Sequence, residues 1–468
     1  MTDVQTEEPI EVVTPAIRDE NGALSGDYVS LVKEAVSTAN RDALFALDAD
    51  LHEADVAHLL EVLPPDERRS YVRLLGDDFD FATLTELDET VRDQILDAVP
   101  NEAIAEAVQE LDSDDAVYIL EDLDFADQTE ILGFIPEAER ISLQRGLDYP
   151  DDSAGRRMQK DFVAVPPFWT VGDAIDHARE TIDLPDEFYE LFVVDPAFHF
   201  VGTVPLYRLL RTKRPVRIED IMEPAKHSVG LLDDQEEVAR LFERYNLVSA
   251  PVLDDNERMV GVITHDDIMD IIEEEAEEDM KRLAGVGDEG ISDTIMATAR
   301  YRFPWLFINL LTAVLASAVI SLFDGVIEQI VALAVLMPIV ASMGGNAGTQ
   351  SLTVAVRALA MQELTTSNAR RVVTREVVVG LLNGIGFAVI LGVLGGWWAE
   401  DWTIGWVLAA AMIVNMLVAG LSGILIPIVL DKLKLDPALS SAVFVTTVTD
   451  VVGFFAFLGL AAWAFGLL

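Results

Sequence analysis

The chain has 468 residues, no cysteine and a net charge of −49, yet 51% of its residues are apolar. The lack of cysteine excludes disulfides and thiolate metal sites, and so large a negative charge argues against a nucleic-acid partner. The charge and the apolar residues are segregated: 71 of the 81 acids and 24 of the 32 bases precede Ile291, so the first part carries −47 and the rest −2. The acid is spread over every polar segment and Lys is scarce beside Arg. That pattern reads as a cytosolic surface adapted to high salt, and therefore as a halophilic source.

Residues 1–26 are polar, acidic and interrupted by Pro9 and Pro15, with no apolar core for a cleaved leader. They read as a disordered acidic tail. Residues 27–152 consist of short amphipathic helices punctuated by Pro, Asp or Gly: Glu53–Leu63 before Pro64-Pro65, Glu67–Leu75 before Gly76, Glu89–Val99 before Pro100. The stretches ADVAHLLEVLPPDERRSYVRLL and DDAVYILEDLDFADQTEILGFIPEAERISL are loosely alike. An all-α superhelix of stacked helix pairs is expected, with most of its acids on a solvated face.

The pattern changes over 153–274. Strand-like runs Phe192–Asp195 and Ala250–Leu253 are each followed by a turn and Val-Gly, and helical segments Val171–Arg179 and Glu236–Tyr245 precede them. The segments RMQKDFVAVPPFWTVGDAI, IMEPAKHSVGLLDDQEEVARLF and SAPVLDDNERMVGVITHDDIMDII resemble two tandem CBS modules, over 153–215 and 216–274. In that family a closing Gly-x-x-Thr-x-x-Asp can hold the phosphate and ribose of an adenine nucleotide such as ATP. The second module has it as Gly261, Thr264 and Asp267; the first departs, reading Gly202-Thr-Val-Pro-Leu-Tyr-Arg208. The resemblance thus implies at most one complete nucleotide site.

Asp266–Arg282 is an acidic helix, DDIMDIIEEEAEEDMKR, whose like charges at i,i+4 need divalent cations, basic partners or concentrated salt to offset them. It leads into a connecting segment, 275–300, with Gly285, Gly287 and Gly290 as a hinge and an amphipathic helix after it. Residues 301–468 then form a membrane domain. Charge-free windows lie at Phe303–Phe323, Gln329–Val356, Val377–Ala399 and Trp402–Leu430, and a fifth, Pro437–Leu468, carries one acid. Each is long enough to span a bilayer. Bases sit in alternate loops (Arg300 and Arg302; Arg357, Arg370, Arg371 and Arg375; Lys432 and Lys434), which predicts cytoplasmic N-terminal domains and an extracellular C-terminus in the plasma membrane. Trp397, Trp398, Trp402 and Trp406 suit an outer interfacial belt.

The exceptional acid is Asp450, in VFVTTVTDVVGFF. A carboxylate at membrane depth is a functional-site candidate, and Thr446 and Gly453 share its helix face. The second window passes into PIVASMGGNAGTQS, where Gly344, Gly345 and Gly348 permit close approach and the amides of Asn346 and Gln350 share a face. That stretch reads either as a helix seam or as a pore lining. Carboxylate, amide, hydroxyl and carbonyl oxygens favour hard ions, Mg2+ before Ca2+ or Mn2+.

The helical acidic domain, the CBS pair, the acidic helix and the five spans together resemble the MgtE family of Mg2+ transporters. PIVASMGGNAGTQS, YPDDSAGRRM and LDPALSSAVFVTTVTDVVG carry the likeness. The resemblance implies a homodimer in membrane lipid, with a pore along the dimer axis lined by the second and fifth spans. It makes Asp450 the ligand of hydrated Mg2+ and places Gly344, Gly345, Asn346, Gln350 and Thr446 beside the pore. It also implies closure by cytosolic Mg2+ at Asp267, Asp270, Glu275 and Glu278, with Asp436 as their membrane-side counterpart. In molar salt the Debye length falls to about 3 Å, so direct bridging rather than diffuse repulsion is expected to close this chain.

Other readings compete. A broader divalent carrier or exporter would pass Mn2+ or Co2+ at rates similar to Mg2+. A membrane-anchored CBS nucleotide sensor would bind ATP or AMP, carry no flux and leave Asp450 unexplained. No soluble-enzyme constellation is present, so the chain does not read as an enzyme.

Overall fold

The computed structural model describes residues 16–49, 51–181, 184–185, 187–286, 290, 294–365, 367–437 and 441–467. The chain forms two compact units that divide within one helix, at Glu273/Glu274.

Among its described residues the first unit begins with nine α-helices: α1 (Gly26–Ser37), α2 (Arg41–Asp48), α3 (Glu53–Val62), α4 (Pro65–Leu75), α5 (Glu89–Leu96), α6 (Asn101–Val108), α7 (Ser113–Glu121), α8 (Phe125–Phe134) and α9 (Glu137–Leu147). Asp88 and Asp124 cap α5 and α8 by accepting backbone N–H bonds, and Pro65 opens α4 at a position where no donor is lost. One continuous core runs through them, from Tyr28 and Leu44 through Leu60, Ile95 and Leu120 to Leu143. The predicted disordered tail needs correction. Ile17 and Leu24 turn back onto this core and Arg18 pairs with Asp55, so the part from Ala16 onward is folded, while residues 1–15 lie outside the described residues.

Two α/β modules follow. The first contains β1 (Ala164–Val165), α10 (Val171–Glu180), β2 (Glu190–Val194), β3 (Phe200–Pro205), α11 (Leu206–Arg211) and β4 (Glu223–Pro224); β1 runs parallel to β2, and β2–β3–β4 are antiparallel. The second repeats the pattern with β5 (Val229–Gly230), α12 (Gln235–Tyr245), β6 (Ser249–Leu253) and β7 (Met259–Thr264). The registers Glu190↔Pro205 and Ser249↔Thr264 put Pro205 where the second module has Thr264. Arg208, at the place of the missing acid, pairs with Glu223 at 2.7 Å. The segment around Gly155 fixes the helical domain to the second module: its N–H donates to Leu231, Arg156 pairs with Glu121 at 3.0 Å, and Arg157 donates to Gln235.

Helix α13 (His265–Ala284) carries the acidic run without a break and ends at Gly285, whose φ of +68° suits glycine. Of the predicted hinge, Gly287 lies outside the described residues.

The second unit holds α14 (Ile295–Ser321), the short α15 (Asp324–Gln329), α16 (Ala332–Ala360), α17 (Ala369–Trp398), α18 (Trp402–Lys432) and α19 (Ser441–Ala464). Among the described residues, α14, α16, α17, α18 and α19 are long and apolar enough to cross a membrane. From Ile295 onward the amphipathic segment expected before the first span is part of α14 itself, while its residues 291–293 lie outside the described residues. Helix α18 is the hub, half buried along its apolar stretch and packed against α16, α17 and α19, whereas α14 packs mainly on α19.

Candidate functional site

The candidate site lies where α16, α18 and α19 close on one another. Asn415 of α18 is completely buried and donates from Nδ2 to the carbonyl of Val340 at 2.7 Å. A Cβ at Gly344 would overlap that amide, and one at Gly453 would stand 2.9 Å from it. Gly348 faces Val445 and Thr449, where a Cβ would come within 2.5 Å of Val445 Cγ1. Two of the three glycines of MGGNAG therefore form a seam, facing α18 and α19 rather than an opening.

The other face of α16 is different. Ser342, Asn346, Thr349, Gln350 and Thr353 recur at helical spacing, and all are exposed. Gly345 lies between seam and stripe, with the methyl of Thr446 3.8 Å from where its Cβ would stand. One turn beyond Thr446 is Asp450, half-buried, and among the described residues no hydrogen bond or ion pair reaches its carboxylate. Thr446 itself donates to Ala442 and Val443, leaving its oxygen lone pairs open. Asp450 beside a row of neutral amides and hydroxyls offers oxygen ligands to a hydrated divalent cation.

A second acid in the spans was not foreseen. Glu376 is only 8% exposed, and its Oε2 accepts a 2.9 Å hydrogen bond from Ser351 Oγ of α16. The apolar run begins at Val377, so the acid reads as loop in the sequence. Helix α17 actually starts at Ala369, two turns earlier, and carries Glu376 into the bundle.

In the first unit, Asp267 accepts from Thr264 through N–H at 3.2 Å and Oγ1 at 2.6 Å. The buried carboxyl of Asp114, on α7, lies beside it. Burial, followed by Asp267, holds Asp114 well above the carboxylate range. Burial and Asp267 raise Asp115 to about 7. Asp267 rises to about 6 through burial, and Asp270 to about 6 through burial and then Glu86. The predicted acids Asp267 and Asp270 thus face Asp114, Asp115 and Glu86, which the sequence hides among many similar acids. Glu275, Glu278 and Asp436 belong to the second unit, where Arg282 pairs with both Glu278 and Asp436, the latter at 2.5 Å. Burial and then Asp436 push Asp279 up. Among the described residues no three carboxylates or histidines converge on one point, whereas Mg2+ keeps several waters and uses one or two carboxylates.

Comparison with known proteins bears on these arrangements. A family profile described as divalent cation transporter matches residues 337–460, one described as the MgtE intracellular N domain matches 51–152, and a CBS profile matches 218–274. The magnesium transporter MgtE of Bacillus subtilis (strain 168) is 32% identical over 422 residues, covering 90% of this chain and 93% of that protein. The chain belongs to the MgtE family. The magnesium transporter MgtE of Thermus thermophilus is 33% identical over 76% of this chain and 78% of its own length. That of Enterococcus faecalis is 35% identical over 68% and 70%. Among solved structures, the cytosolic domain of the Mg2+ channel MgtE in complex with ATP is 27% identical, with a TM-score of 0.48, covering 52% of this chain and 99% of that one. The two MgtE profiles fall on the helical domain and on the membrane helices that hold Asn346 and Asp450.

Proposed function

We propose that this chain is a Mg2+-selective channel or transporter of the plasma membrane, carrying Mg2+ passively inward. The observation that carries the reading is Asp450: a carboxylate within a membrane span, without a protein partner among the described residues, one turn from Thr446 and beside the neutral polar stripe of α16. A stripe of amides and hydroxyls is costly against lipid, so a second copy covers it. The two copies face each other across a pore, with one Asp450 from each. The loop arginines orient the soluble domains toward the cytosol and the C-terminus outward.

Cytosolic Mg2+ regulates the pore in this reading. The acids Asp114, Asp115, Asp267 and Asp270 repel one another until Mg2+ bridges them, and Mg2+ completes at Glu278, Asp279 and Asp436 the neutralisation that Arg282 begins. An adenine nucleotide at Thr264 and Asp267 would have to displace Asp114 from beside Asp267.

Flux of Mg2+ into liposomes tests the proposal, comparing wild type with Asp450→Asn and varying Mg2+ on each side. Loss of flux in a folded mutant, together with block by Mg2+ on the side of the acidic domains, is expected. Equal flux in mutant and wild type would remove Asp450 from the pore. Similar rates for Mn2+ or Co2+ would favour the broader carrier, and absence of flux with tight ATP binding would favour the sensor.

A further inference from the structure

Many arginines of this acidic chain pair with a carboxylate, from Arg18 with Asp55 to Arg282 with Asp436. Three that do not pair lie together on one helix. Arg370, Arg371 and Arg375, in the first two turns of α17, are exposed, and among the described residues none has an ion-pair partner. In a chain with 81 acids and 32 bases, three such arginines within two turns of one helix are a local concentration of positive charge. Together with Thr374, Val378 and Val379 these arginines wall a shallow recess. Thr374 spends its own proton on the Arg370 carbonyl, so its oxygen can only accept further bonds. The recess is therefore cationic, with apolar side chains along one edge.

Its position on α17 identifies the occupant. The opposite face of the helix is packed: Val372 and Val373 join the cluster around Ile424 and Ile428, and Gly380 and Gly384 lie against the backbone of α18. The arginine face, in contrast, continues at helical spacing through Val378, Leu382, Ile385, Val389 and Val393, all exposed. From Arg375 to Val393 that face runs about 27 Å at 1.5 Å per residue, close to the thickness of a bilayer's hydrocarbon core. A cationic recess thus sits directly above an unbroken aliphatic strip. Orientation in the membrane requires an excess of bases on one side, which does not require them to converge on one helix face above such a strip.

We propose that Arg370, Arg371 and Arg375 bind the phosphate headgroup of an anionic membrane lipid whose acyl chains lie along Val378–Val393 of α17. The guanidinium fork can give a phosphate two parallel hydrogen bonds. Such contact survives concentrated salt, where screening acts within about 3 Å. A free phosphate would use the recess and leave the strip idle. A second copy of the chain would meet a purely aliphatic face here, whereas the polar stripe of α16 is the face that needs protein cover.

Native mass spectrometry of the full chain tests this, with phosphatidylglycerol, phosphatidylcholine of the same acyl chains, or glycerol phosphate added at equal concentrations. Wild type is expected to retain phosphatidylglycerol in preference to the other two. Arg371→Gln should weaken retention about fivefold, and the triple Arg370→Gln/Arg371→Gln/Arg375→Gln variant about a hundredfold. Arg357→Gln, on the end of α16, should leave retention unchanged. The single variant keeps the test available should the triple fail to fold. Equal retention of the two lipids, or undiminished retention in Arg371→Gln, would overturn the proposal. Competition by glycerol phosphate at equal concentration would make the recess a free-anion site. A change in subunit stoichiometry instead of lipid adducts would make it a protein contact.

Discussion

The side chain of Asn415 and the carbonyl of Val340 are joined by a 2.7 Å hydrogen bond, and the glycines of two neighbouring helices close on the same amide. Adding a methyl at Gly344 must displace Asn415 or separate α16 from α18. Gly344→Ala should therefore cost about 1–3 kcal/mol, the usual cost of overpacking, and lower flux as well. Gly345→Ala meets only the Thr446 methyl at an ordinary contact distance and should be tolerated. Thermal unfolding of the detergent-solubilised protein would compare them; equal melting temperatures for the two variants would refute the seam.

The acids between the helical domain and the second α/β module make stability depend on pH. The carboxyls of Asp114, Asp115, Asp267 and Asp270 are all raised in the folded chain, with Asp115 at about 7. From about pH 4 to at least pH 7 the folded state then holds more protons than the unfolded state, so stability falls as pH rises through that window. Mg2+ should replace the protons. In Mg2+-free buffer at pH 8, Asp115→Asn should melt several degrees above wild type and gain less from added Mg2+. Melting temperatures that climb from pH 5 to pH 8 without Mg2+ would contradict the assignment.

Asp450 is legible in the sequence because it is one charge in a long apolar run, and the five spans are legible for the same reason. Glu376 is hidden by the edge of its window: only the observed start of α17 turns it from a loop residue into a buried one. Asp114 and Asp115 are hidden differently. Nothing local separates them from the other acids of the helical domain, and their meeting with Asp267, some 150 residues later, is purely tertiary. The seam at Gly344 was open to inference from its glycines, but its partner Asn415 could have been found only as an amide within an otherwise apolar fourth span.

Arg282 gives the acidic helix a resident cation. Its guanidinium pairs with Glu278 of its own helix and with Asp436 near the start of the last span, while Leu283 beside it packs with Leu352, Val356 and Val445. A fixed positive charge at this point does part of what a divalent ion would do between the same carboxylates. Arg282→Gln should raise flux at low cytosolic Mg2+, and more Mg2+ should be needed to suppress it. Asp436→Asn should act in the same direction, and the exchange Arg282→Asp with Asp436→Arg should restore much of the wild-type block. Liposome flux against cytosolic Mg2+ would measure all three, and an exchange variant no better than either single variant would show that the pair contributes no specific contact.

The bond from Ser351 to Glu376 ties the polar helix α16 to α17, and it neighbours Gln350 on the exposed stripe. The two ends are not equivalent. Ser351→Ala leaves a buried carboxyl without its donor, a loss of about 1–3 kcal/mol. Glu376→Gln keeps an oxygen acceptor in the same place and should cost less, whereas Glu376→Ala removes the acceptor and opens a gap. Once Glu376 is Ala the serine has nothing to bond, so Ser351→Ala should then add little. The order of stability expected is wild type, Glu376→Gln, Ser351→Ala, then Glu376→Ala, with strong non-additivity in the Ser351→Ala/Glu376→Ala double variant. Melting temperatures and Mg2+ flux measured across that cycle would decide the point. Strict additivity would mean that the hydroxyl and the carboxylate act independently, and that the orientation of α16 is set by the Asn415 seam alone.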